Sequence, residues 1–310
     1  MKLAIGLMTC GAVTAQTKTA EMKKMRGKRR DFMDRKLIFL DIDGTLVAAL
    51  SRPTPQVRQG VRQARALGNL VFLCTGRNLP IIGPDILEIG FDGIVASAGG
   101  YVSVGDQVLF DSLLPEEVVQ ECLTVFHDLG VFCRIETPEG IYTDPQMEAL
   151  LRSASPDPCN SELIRMQKEI ETGIAIQPYE RYPRRGAYKL CFTSISLKPV
   201  EEARNFLGNR FEFVVHPYGN STRCFNGEII PRGIDKGKGI ELVCRHFGAS
   251  LKDTVAFGDS MNDAAMLARA GLSVAMGNAC DELKAMADII CEDVAHDGVY
   301  RELCRLGLCG

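Results

Sequence analysis

Residues 36–42 (Lys-Leu-Ile-Phe-Leu-Asp-Ile) form a nearly continuous apolar run. A strand buried on both faces of a parallel sheet has this pattern. Thr54-Pro55 then supplies a helix N-cap and a first-turn proline. Val57, Val61, Ala64 and Leu67 follow at helical spacing, and Gly68 closes the helix. Residues 69–74 and 93–97 read as the next two buried strands. Strand–helix–strand alternation of this kind predicts an α/β sheet with right-handed crossovers.

The pattern then changes. Residues 101–104 and 107–110 flank Gly105-Asp106, a hairpin signal. Residues 115–129 read as an amphipathic helix with Val118, Cys122, Val125, Phe126 and Leu129 on one face. Short strands and helices continue to about residue 220, with loop-like stretches at 153–160 and 178–186. We read 112–222 as an inserted α+β domain that divides a core into 34–111 and 223–310. Beyond residue 227 the buried pattern resumes, with a helix over 236–247, a strand over 254–257, a helix over 262–270, and strands over 272–276 and 288–291. The fold class is α/β, a doubly wound parallel sheet carrying the insertion.

Composition narrows the setting. At 310 residues, with 46% hydrophobic and 24% charged residues, the chain reads as about two soluble globular domains. Its charge is uneven: residues 1–33 carry eight Lys/Arg against two Asp/Glu, and the remainder carries 28 against 37. An acidic body argues against a broad nucleic-acid surface. The 12 cysteines include no C-x-x-C pair, and most lie in apolar runs, so they read as reduced core residues of a cytoplasmic protein without structural zinc. No run of 18 apolar residues exists to span a membrane. The first residues loosely imitate a secretory signal, but the apolar segment is short and basic charge follows it at 23–30. Residues 1–33 are therefore expected to be a disordered leader or an over-extended start.

Candidate chemistry gathers at predicted strand ends, where open α/β sheets bind ligands. The first strand ends in Asp41-Ile42-Asp43-Gly44-Thr45, and Gly44 permits the turn that brings both carboxylates to one site. The second ends in Thr75-Gly76-Arg77, a hydroxyl, a flexible backbone and a guanidinium suited to phosphate. Lys236 opens a helix, where a cation is unfavourable unless an anion lies nearby. The fourth buried strand ends in Gly258-Asp259-Ser260-Met261-Asn262-Asp263. Asp41, Asp43, Asp259 and Asp263 together offer hard oxygen ligands for Mg²⁺. Capping of the following helices is the plainer reading for Asp259 and Asp263, and one residue can do both.

In this order the motifs resemble the haloacid dehalogenase superfamily of phosphohydrolases, Cof-like subgroup, over about residues 36–299. The resemblance implies a doubly wound core with a type IIB cap inserted after the third core strand. It implies Asp41 as nucleophile and Asp43 as acid and base. The metal ligands would be Asp41, the Asp43 carbonyl, Asp259 and Asp263. Thr75, Gly76, Lys236 and Asn262 would bind phosphate, with Arg77 a supporting contact. One departure stands out: Ser97-Ala98-Gly99-Gly100 replaces the Ser-Asn-Gly-Ala common in the family, so a polar contact is missing. The expected function is Mg²⁺-dependent hydrolysis of small phosphorylated metabolites, such as sugar phosphates, through an aspartyl-phosphate. The expected assembly is a monomer or small homo-oligomer, with no nucleic-acid or membrane partner. The alternatives are phosphoryl transfer or mutase chemistry on hexose phosphates, and a non-catalytic phosphate-binding regulatory module. Within the insertion Tyr179, Tyr182, Arg184, Arg185 and Lys189 are candidate substrate contacts, though each reads more readily as a surface residue.

Overall fold

The computed structural model describes residues 35–48, 51–153, 176–216 and 225–310. The leader expected over 1–33, and most of the loop expected over 153–160, lie outside the described residues. The chain begins with β1 (Leu37–Leu40), α1 (Pro55–Ala66), β2 (Leu70–Cys74), β3 (Gly93–Ala96), β4 (Tyr101–Val104) and β5 (Gln107–Asp111). The next segment contributes α2 (Glu116–Asp128), β6 (Phe132–Glu136), β7 (Ile141–Thr143), a helix over Pro145–Ser153, and β8 (Ile176–Pro178). It continues with β9 (Lys189–Ser194), α3 (Leu197–Leu207), β10 (Phe211–His216) and β11 (Phe225–Pro231). Last come α4 (Lys236–Phe247), β12 (Thr254–Gly258), α5 (Ala264–Arg269), β13 (Leu272–Ala275), α6 (Asp281–Met286), β14 (Ile289–Ile290) and α7 (Gly298–Arg305).

The first sheet has eight strands in the order β14-β13-β12-β1-β2-β3-β4-β5. It is parallel from β14 to β3, and the hairpin β4–β5 adds antiparallel strands at one edge. The chain runs outward from β1 through β2 and β3, then returns to β12 on the other side of β1. That reversal opens a crevice at the carboxyl ends of β1 and β12, the binding position of doubly wound sheets. Alternation along β1 explains the two-sided core. Ile38 and Leu40 pack with Val57, Val61 and Ala64 of α1 and Val299 and Leu303 of α7. Leu37 and Phe39 face the other way, onto Ile240 and Val243 of α4 and Met266 and Leu267 of α5. Thr54 caps α1 as expected, accepting from the Val57 amide at 3.2 Å. Leu67 differs from expectation: it lies at the C-cap and is exposed, because the helical turn that would point it inward ends at Ala66.

The second sheet has six strands in the order β10-β11-β9-β6-β7-β8. Because β11 pairs with β9 and β10, this sheet extends past residue 222, where the sequence suggested the insertion ends. One face packs against Val119, Cys122, Leu123 and Phe126 of α2 and Val200, Ala203 and Leu207 of α3. The buried stripe of α2 is thus rotated from the expected one, with Val118, Val125 and Leu129 at its margins. The opposite face carries Arg134, Glu136, Lys189 and Glu228, all buried. Lys189 Nζ lies 2.6 Å from Glu228 Oε1 and 3.6 Å from Glu136 Oε2, and Arg134 Nη2 lies 3.4 Å from Glu136 Oε1. The surface placement expected for Lys189 and Tyr182 is therefore wrong. Lys189 sits inside an ion cluster, and the Tyr182 hydroxyl donates to Glu116 Oε2 at 2.5 Å.

One cysteine expectation also changes. Cys304 and Cys309 form a disulfide, because the left-handed turn at Gly307 folds the chain end back until their Cα atoms are 4.7 Å apart. Cys74, Cys122, Cys133, Cys191 and Cys244 are free and buried, as expected. No helix among the described residues is long and apolar enough to cross a membrane.

Candidate active site

The carboxyl ends of β1 and β12 bring together residues far apart in the chain. Asp41 follows β1, and its amide donates to the Phe257 carbonyl of β12 at 3.1 Å. Gly44 then adopts φ +80°, which lets the chain turn back beneath Asp259. A Cβ at Gly44 would collide with the Asp259 carboxylate, so a side chain is excluded by space as well as by φ. Asn278, not singled out as a site residue from the sequence, ties down the same loop. Its Nδ2 donates to the Gly44 carbonyl at 2.8 Å, and its Oδ1 accepts from the Val294 amide at 3.0 Å.

Lys236 is the first residue of α4 and is fully buried. Its Nζ lies 2.7 Å from Asp41 Oδ1, 2.6 Å from Asp263 Oδ1 and 3.2 Å from Asn262 Oδ1. The anion needed to offset a lysine at a helix N-terminus is thus two carboxylates. Burial alone would lower the Lys236 ammonium, but Asp263 and Asp41 hold it well above its ordinary value. Asp235 caps α4 by accepting from the Lys238 amide at 2.7 Å. Gly99 makes this packing possible, since a Cβ there would strike the Asp235 carbonyl.

Asp263 serves the loop as well as the lysine. Its Oδ2 accepts from the Asp259 amide at 3.0 Å and the Ser260 amide at 3.2 Å. Both of its oxygens are engaged, so the capping expected of either Asp259 or Asp263 falls to Asp263. Asp259 has instead a buried Oδ1 without a hydrogen-bond partner among the described residues. Ligand oxygens of Asp41, Asp259 and Asp263 lie within 4.8 Å of one another. Burial, opposed by Lys236 and reinforced by Asp263 and Asp43, raises Asp41 from 3.8 to about 8. Asp259 is also raised, by burial first and then by Asp263 and Asp41. A buried carboxylate set with an unmet oxygen and elevated affinity for protons fits a hard divalent cation, which would replace those protons.

Asp43 stands apart from that set. Arg77 grips it with two bonds, Nε to Oδ2 at 2.8 Å and Nη2 to Oδ1 at 2.6 Å. Arg77 thus contacts a predicted site residue directly. Thr75 is buried, and its hydroxyl accepts from the Arg77 amide at 3.1 Å, which folds the Thr75-Gly76-Arg77 loop. Ser97 and Ala98 both take positive φ, 50° and 54°, and their amides donate to the Arg77 and Thr75 carbonyls at 2.8 and 3.0 Å. Main-chain bonds therefore hold the segment that departs from the family pattern. Buried oxygens of Thr45 and Ser97, like that of Asp259, lack partners among the described residues, and they lie on loops leaving β1, β3 and β12. Unmet buried acceptors concentrated at one end of a sheet are what a polar ligand site leaves before its ligand arrives.

The model of the haloacid dehalogenase-like hydrolases matches residues 38–303. The Bacillus subtilis (strain 168) protein YkrA is 29% identical, covering 89% of this chain and 99% of its own length. The HMP-PP phosphatase of Serratia proteamaculans (strain 568) is 27% identical, covering 81% of this chain and 87% of that protein. Among solved structures, the subclass IIB sugar phosphatase BT4131 superposes with a TM-score of 0.69 at 26% identity, covering 88% of this chain and 99% of that one.

Proposed function

Because this chain belongs to the haloacid dehalogenase-like hydrolase family, we propose that it hydrolyses phosphate monoesters of small metabolites, with Asp41 as the nucleophile. The observation that carries this reading is the buried convergence of Asp41, Asp259 and Asp263, with Lys236 bonded to Asp41 and Asp263, beside an Asp43 held by Arg77. Relatives named as phosphatases, among them a sugar phosphatase and an HMP-PP phosphatase, support the substrate class.

Asp41 and Asp259 would hold Mg²⁺, with the Asp43 carbonyl completing the protein ligands and Asp263 supporting them. When bound, the cation supplies charge neutralisation between the Asp41 carboxylate and the phosphate dianion. Asp41 attacks phosphorus as the bond to the ester oxygen breaks, which leaves an aspartyl-phosphate and an alcohol. Asp43 gives the proton that the departing oxygen requires. It then takes a proton from the water that attacks the aspartyl-phosphate, releasing phosphate and restoring both residues. Arg77, which donates to both Asp43 oxygens, orients that carboxyl group. Lys236, Thr75, the Gly76 backbone and Asn262 surround the transferring oxygens, where fixed donors are worth most in a dry site. The second sheet, with the segments joining it to the first, acts as a cap that covers this site and selects the leaving group.

The test is hydrolysis of a panel of phosphorylated metabolites by the protein with Mg²⁺. Asp41→Asn should abolish turnover while its circular dichroism spectrum stays unchanged. An active, folded Asp41→Asn protein would remove Asp41 as nucleophile.

A further inference from the structure

Asn78 follows Arg77 directly and is fully buried, yet the mechanism above does not use it. Its Nδ2 donates to the Thr137 carbonyl at 2.7 Å and the Gly140 carbonyl at 3.2 Å. Both acceptors belong to the turn between β6 and β7 of the second sheet, so one amide from the catalytic loop docks that turn. The turn is built to be docked. Thr137 donates its amide to Gly140 O at 2.9 Å, and Thr137 Oγ1 accepts from the Glu139 and Gly140 amides at 3.2 Å each. These bonds fix the two carbonyls that face Asn78. Because both are acceptors, the amide orientation is settled: nitrogen toward the turn, oxygen away from it. That outward Oδ1 is buried and finds no donor among the described residues.

The turn also continues directly into the buried charges. Glu136 precedes Thr137, and Lys189 pairs with Glu136 across neighbouring strands. Where Asn78 seats Thr137, it therefore sets where Glu136 and Lys189 stand relative to Arg77 and Asp43. We propose that Asn78 is a specificity-determining positioning residue: it latches the 137–140 turn onto the catalytic loop, so that a leaving group bearing hydroxyls is recognised by both surfaces at once. The proposal rests on the phosphatase reading for its substrate and on geometry alone for the latch. A leaving group too small to reach the second sheet gains nothing from the latch, whereas a polyhydroxylated one does.

The experiment uses the full chain with Asn78→Asp, which keeps the shape but points a carboxylate at two carbonyls, and Asn78→Ala as a second variant. Hydrogen exchange is followed at residues 137–140 and, as an internal reference, at β1 and β12. Hydrolysis is followed for acetyl phosphate and for the hexose phosphate that the wild-type protein turns over best. We expect exchange at 137–140 to accelerate at least tenfold with the reference strands unchanged. We expect kcat/KM for the hexose phosphate to fall at least tenfold, while that for acetyl phosphate changes less than twofold. Unchanged exchange at 137–140 in both variants overturns the latch, whatever the activity. Accelerated exchange with equal losses on both substrates overturns the specificity role. Wild-type protein inert toward every ester would instead overturn the phosphatase reading, and exchange alone would then decide the latch.

Discussion

Lys236 Nζ and Asp41 Oδ1 lie 2.7 Å apart, although 195 residues separate them in the chain. Lys236 is fully buried, so it cannot recover a lost partner from water. Replacing it by Met leaves Asp41 and Asp263 facing each other without a cation between them. Breaking a buried pair from one side costs about 3–5 kcal/mol. Lys236→Met should lower the urea midpoint by a corresponding amount and remove phosphatase activity. Retention of wild-type stability would mean that the pair contributes nothing net.

The raised Asp41 carboxyl fixes the sign of a pH dependence. Folded and without metal it holds its proton up to about 8, against 3.8 for the ordinary side chain. Between those values the folded chain binds more protons than the unfolded chain at this position, so this contribution falls as pH rises. The melting temperature in EDTA should therefore decline from pH 6 to pH 8, and Asp41→Asn should flatten that slope. Mg²⁺ should raise the melting temperature more at pH 8 than at pH 6, because protons compete with it less. Calorimetry at the two pH values decides the matter, and an equal or smaller gain at pH 8 would contradict it.

Gly44→Ala tests how tightly the two halves of the site approach. The substitution places a methyl group against the Asp259 carboxylate at a residue with φ +80°. Asp259 must move, and with it the proposed cation ligand. Mg²⁺ affinity, measured by titration calorimetry, should fall at least tenfold and activity should fall in parallel. Unaltered Mg²⁺ affinity would show that Asp259 is not a ligand.

In the second sheet, Lys189→Met leaves Glu136 and Glu228 buried without the ammonium they share. The expected cost is about 3–5 kcal/mol in a chemical melt. Replacing Lys189 and Glu228 together by apolar side chains of similar volume, with Glu136 left to its pair with Arg134, should return part of that loss. Such rescue separates the cost of an orphaned charge from the worth of the pair.

Much of the first sheet was legible because parallel strands buried on both faces need continuous apolar runs. Residues 37–40 and 254–258 could hardly be read otherwise. The helix over 236–247 was legible because Gly248 marks its end. The charged face of the second sheet was not. Arg134, Glu136 and Lys189 carry the residue types of a solvated surface, and only pairing between β6, β9 and β11 buries them together. Asn278 escaped notice as a site residue because its role is to brace Gly44, 234 residues away.

The sequence by itself supplied the candidates for this chemistry: carboxylates at two strand ends, a glycine turn beside one of them, and a lysine opening a helix. It also set the strand–helix order that forces a parallel sheet. Tertiary structure alone decided how the aspartates divide their work. Asp263 spends its oxygens on Lys236 and two amides, Asp259 keeps one unmet, and Asp43 is drawn aside by Arg77. Spacing along a chain fixes neither which partner reaches a carboxylate first nor how much water is left around it. Those depend on which strand ends the winding of the sheet brings side by side.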